Sequence, residues 1–148
     1  MATQLGIYGV GCISPWGVGF HQSASRAVAG DRFFAMREGR AVSPLREEGE
    51  QAVRSLIAED ASRQQYDRTV HLAMIAARQA ITEAGWAGSS VPLGINIGSA
   101  RGATTLVERA ILQSAAGEHL APSTSPLTTL GGIASAVAHD LSAVHGVK

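Results

Sequence analysis

Residues 67–85 constrain the fold more than any other part of this chain. Val70, Ala73, Met74, Ala77, Ala80, Ile81 and Ala84 follow the i, i+3, i+4, i+7 rule of an amphipathic helix. Leu72, Ile75 and Ala76 are apolar too, so only a narrow strip with Arg78, Gln79, Thr82 and Glu83 is polar. A helix apolar over most of its girth is buried on more than one side. Asp67 is placed to cap its start and Gly85 to end it. The fold must therefore supply apolar layers around this helix.

The rest of the chain offers further helices but few strands. Residues 5–10, bearing Ile7, Tyr8 and Val10, predict a short strand that leads into a turn-rich loop. Residues 20–29 predict a short helix stopped by Gly30, and Ala52, Val53, Leu56 and Ile57 predict another over about 47–60. Residues 93–98 (Leu-Gly-Ile-Asn-Ile-Gly) predict a buried strand. Ala103, Leu106, Val107, Ala110, Ile111 and Ser114 predict an amphipathic helix closed by Gly117. Residues 119–128 read as a Pro/Ser/Thr loop. Leu130, Ile133, Ala134, Val137, Ala138 and Leu141 predict a last helix, with Gly146 placed to stop it. The class is α/β. Two strands do not make a sheet that covers three or four apolar helices, as though strands were missing.

Composition and charge narrow the functions. The chain has 148 residues, 12 Lys+Arg against 12 Asp+Glu, and a hydrophobic fraction of 45%. That is a globular balance, and zero net charge argues against a chain built mainly to bind nucleic acid. Charge is concentrated at residues 31–64, which predicts a solvated surface insertion, with a docking flap as the alternative. One cysteine excludes an intramolecular disulfide. No secretory leader or membrane-spanning run is visible, so the expected location is the cytoplasm and no membrane contact is expected.

No residue pattern by itself declares a reaction. Gly9-Val-Gly11 follows a strand as a dinucleotide loop would, but Ser14 stands where the third glycine belongs, and Pro15 and Gly17 prevent a helix from opening. The strand-to-helix corner at 98–102 lacks the Gly-Lys-Ser/Thr ending of a P-loop. It reads as a packing turn, with anion binding through free N–H groups as the alternative. Arg101 in that corner either faces a ligand or pairs with Glu108 or solvent. His139 and His145 are spaced for neither one helical face nor a metal, and His71 reads as a structural histidine. Cys12 has no nearby cation to activate it and reads as a small hydrophobe. No catalytic residue, metal site or cofactor is expected.

Taken together, four segments resemble one family. "IYGVGCISPWGVG" resembles the N-terminal strand and loop of β-ketoacyl synthases, and "DRTVHLAMIAARQAITEAGW" their Ala-rich helix ending in Ala-Gly. "LGINIGSARGATTL" is similar to the following strand and glycine corner, and "STSPLTTLGGIASAVAHDL" to the helix before the active site. The form Gly-Ser-Ala-Arg-Gly-Ala-Thr is closest to synthases linked with aryl polyene and flexirubin-type pigments.

The resemblance implies part of a thiolase-like α/β/α layered fold, the N-terminal part of its first half. Its enzymes join acyl units on carrier-protein thioesters by decarboxylative Claisen condensation, in fatty acid, polyketide or polyene biosynthesis. The family's nucleophilic cysteine and two catalytic histidines fall beyond the matching segments, and Cys12 is not that nucleophile. The resemblance therefore implies a chain that is inactive alone. The alternative is a non-catalytic, chain-length-factor-like subunit paired with a complete synthase. By resemblance, Ser99, Arg101 and Gly102 line an acyl pocket near a dimer interface, and Thr128 and Thr129 lie near a partner subunit. The implied partners are acyl carrier protein thioesters and other synthase subunits, as homo- or hetero-oligomers. A third reading, from the corner alone, is a small-molecule-binding α/β domain.

Overall fold

The computed structural model describes residues 5–89, 92–100, 102–129 and 131–146. Two antiparallel hairpins alternate with helices. The first hairpin pairs β1 (Ile13–Ser14) with β2 (Gly17–Val18) around Pro15 and Trp16. Helix α1 (Phe20–Val28) follows and ends where Gly30 takes φ 78°. The second hairpin pairs β3 (Ala35–Arg37) with β4 (Arg40–Val42). Its two-residue turn, Glu38-Gly39, has φ of 51° and 75°, the primed-turn geometry that matches the strands' twist. Then come α2 (Glu47–Glu59), a 3-10 turn (Ala61–Gln65), α3 (Arg68–Glu83), α4 (Thr104–Ala115), α5 (Thr124–Thr128) and α6 (Gly132–His145).

The fold is mixed α/β, with two two-stranded sheets among the described residues. The helices stand close to their expected places. Asp67 caps α3, and the left-handed glycines Gly85, Gly117 and Gly146 follow α3, α4 and α6. Leu130 lies outside the described residues. Residues 124–128, expected as loop, form the single turn α5, closed by the Thr128 hydroxyl donating to the Thr124 carbonyl.

The two expected strands do not form a sheet. Residues 5–10 and 93–98 pair with no strand among the described residues. Strand identity needs a neighbouring ladder, which local sequence cannot supply. The period-2 pattern survives at 93–98: Leu93, Ile95 and Ile97 lean on the core while Gly94, Asn96 and Gly98 face out. Residues 9–12 instead lie directly on α3. A Cβ on Gly9 would overlap the Ala80 carbonyl, and one on Gly11 the Ala76 carbonyl. The Val10 and Cys12 N–H groups donate to Glu83 and Gln79 of the polar strip of α3. The Gly9-Val-Gly11 spacing thus serves close approach to a helix.

The core joins α2, α3 and α6 through Val53, Leu56, Val70, Met74, Ile81, Val137 and Leu141. The charged stretch 31–64 therefore divides. Its hairpin stays at the surface, whereas the apolar stripe of α2 enters the core and Arg63 is buried. Arg63 Nη2 donates to Asp140 Oδ1 at 2.9 Å, and Arg78 donates to both Asp140 oxygens at 2.7 and 2.8 Å. Glu59 bonds both arginines from α2, and His71 Nε2 bonds the Arg63 carbonyl at 2.8 Å. Two cations and two anions thereby tie four elements together. The network gives the burial of Asp140 and Arg63 its compensation. His71 has the structural role expected of it.

Candidate functional site

The start of α4, just past the corner at 98–102, is held by Asp67. This carboxylate is only 4% exposed. Its Oδ1 accepts from the Thr69 N–H at 2.9 Å and from the Thr69 hydroxyl at 2.8 Å, which caps α3. Its Oδ2 accepts from the Thr105 N–H at 3.1 Å, in the first turn of α4. The N-cap position of α4 is Ala103, which has no side-chain acceptor to offer. Asp67 therefore caps two helices at once, one of them 38 residues downstream. Burial alone would raise its pKa. The donated hydrogen bonds from Thr69, Leu106 and Thr105 outweigh that and hold the carboxyl below its usual range.

Gly102 is buried, with φ 63°, a conformation that favours glycine. Its N–H donates to Ser99 Oγ at 2.9 Å, so the serine hydroxyl closes the turn. The Gly102 carbonyl lies 3.4 Å from Thr69 Oγ1, whose proton goes to the closer Asp67. Ser99 is exposed, and Arg101 lies outside the described residues. The Ser99–Gly102 bond thus closes a turn directly before α4.

Thr128 and Thr129 stand elsewhere. Their hydroxyls donate to the carbonyls of Thr124 and Pro126 in their own turn. Thr128 lines an open groove of about 490 Å³ between α4 and the segment after it, together with Val107, Ala110, Ile111, Ser114 and Leu120. No residue of α4 is buried, and Ile111 and Leu112 are 62% and 71% exposed. The structure thus splits the expected set. Ser99 and Gly102 sit at the start of α4, and Thr128 lies along its flank.

Cys12 is half-buried, with its carbonyl accepting from the Gly19 N–H at 2.7 Å. Among the described residues no group of three His, Cys, Asp or Glu is placed to hold a metal. Among them, too, no helix is long and apolar enough to cross a membrane. The second helix capped by Asp67 left no signal in the sequence, because the capped N–H lies far along the chain. Neither a protein-family model nor a curated protein sequence matches this chain.

Proposed function

We propose that the chain is an N-terminal portion of a cytoplasmic β-ketoacyl-[acyl-carrier-protein] synthase with a thiolase-like layered fold, inactive in condensation on its own. The resemblance of the four ordered segments motivates the reading. One structural observation supports it most. Residues 9–12 lie on α3 and residues 93–97 on the core with no strand ladder to a neighbour among the described residues, as the first strands of a larger sheet would before their partners are present. Leu5 and Ile7, 91% and 87% exposed, are left for a further layer to cover.

Two measurements test it. Intact-mass spectrometry after incubation with acyl-carrier thioesters should show no acyl adduct, and an adduct on Cys12 would refute the inactivity. The DNA that follows codon 148 should continue in frame through a strand, a cysteine among small residues and two later histidines. A frame without them overturns the parentage. The uncovered apolar face of α4 favours one second reading, a non-catalytic subunit paired with a complete synthase. Gel filtration separates the two, since a lone stable monomer that ignores such a synthase counts against pairing.

A further inference from the structure

The second hairpin carries a charge arrangement that no acidic side chain among the described residues neutralises. In its register Ala35 faces Val42 and Arg37 faces Arg40. Residues directly opposite in an antiparallel pair project from the same side of the ribbon, so two guanidinium groups stand together. Like charges so placed destabilise a hairpin. Neither arginine makes an ion pair or side-chain hydrogen bond among the described residues, whereas Arg26, Arg54, Arg63, Arg68 and Arg78 all do. The same face of the ribbon, through Arg37 and Val42, walls a groove of about 480 Å³. Its other walls come from β1, α2 and α3, with Ile13, Leu45 and Leu72 giving it apolar surface. Arg68 lies on its rim already paired to Glu50 at 2.6 Å. The volume suits a small ligand, and an apolar floor with a few convergent polar groups is how such sites are built.

We propose that this groove binds a small amphipathic organic anion. Its carboxylate is held by Arg37, which lines the groove, and by Arg40, which stands opposite Arg37 on the ribbon just outside that lining, and its aryl or alkyl body lies against Val42, Leu45 and Leu72. The anion relieves the cross-strand repulsion, and the guanidinium fork fits a carboxylate bidentately. The site is independent of the synthase reading, since it uses neither the corner at 98–102 nor α4.

The test uses the whole chain with 4-butylbenzoate as probe and 4-butylbenzamide as its uncharged isostere, followed by calorimetry and amide NMR. The benzoate should bind, the amide about tenfold or more weakly, and Arg37→Gln or Arg40→Gln should each weaken the benzoate about tenfold. Amide shifts should concentrate at Ser43, Leu45 and Leu72. Both arginines are exposed, so the variants retain the fold, which their unperturbed amide spectra verify. Equal binding of benzoate and amide overturns the proposal. So does insensitivity to both variants, shifts centred on Ile111 and Leu120, or no benzoate binding at all.

Discussion

Removing the Asp67 carboxylate should unfasten two helix ends at once. The Thr69 N–H and hydroxyl converge on one oxygen and the Thr105 N–H on the other, with the Leu106 N–H also directed at the carboxylate. Each helix cap contributes about 1 kcal/mol. Asp67→Ala loses both caps and leaves their N–H groups short of partners, so the expected loss is about 2–3 kcal/mol. Asp67→Ser separates the two. A serine still caps α3 but is too short to reach Thr105, so it should cost only about 1 kcal/mol. Urea denaturation followed by circular dichroism gives both values. Amide hydrogen exchange gives the location: in the serine variant, protection should fall at Thr105 and Leu106 and persist at Thr69. The pH dependence follows from the lowered pKa of the folded carboxyl. Its stabilisation is fully present above the unfolded value of about 4 and is lost as pH falls through the lower folded value. Acidification below about pH 4 should therefore cost the wild type more than either variant. If serine proves as damaging as alanine, or exchange at Thr105 is unchanged, the shared cap is wrong.

Three further outcomes are expected. Gly11→Ala should destabilise by about 1–3 kcal/mol in urea melts, because its Cβ must push residues 10–12 off the Ala76 carbonyl, while Gly19→Ala should do so without any clash, through its φ of 104° alone. Asp140→Ala should cost about 3–5 kcal/mol and exceed Glu59→Ala, since Asp140 is the buried anion between Arg63 and Arg78 and the Glu59 side chain is 48% exposed; comparable losses by denaturation would refute that ranking. Glu38→Gly should raise the melting temperature slightly, by relieving the positive φ of the hairpin turn, with about 0.5–1 kcal/mol expected.

The unpaired segments show where local reading ends. Residues 93–98 alternate as a strand should, and the structure keeps the alternation but gives the backbone no ladder among the described residues. Neither hairpin is legible in the local sequence. Pro15-Trp16 and Glu38-Gly39 are not the Asn-Gly or Asp-Gly pairs that announce such turns, and each strand has only two or three residues. At the candidate site, Ser99, Gly102, Thr128 and Thr129 are marked only by the family resemblance, and the hydrogen bonds they make here are turn-closing ones.

What the sequence determined by itself is the helical skeleton. The spacing of Val70, Met74, Ile81, Val53 and Leu56, the Asp67 cap and the glycines after α1, α3, α4 and α6 all act within a few residues, because helical hydrogen bonds join i to i−4. Tertiary structure alone decided three things. It laid Gly9 and Gly11 against the carbonyls of α3, brought Asp67 to the start of α4, and gathered Arg63, Arg78, Glu59 and Asp140 into one network. Each joins residues tens of positions apart, and such contacts exist only once packing has brought the elements together.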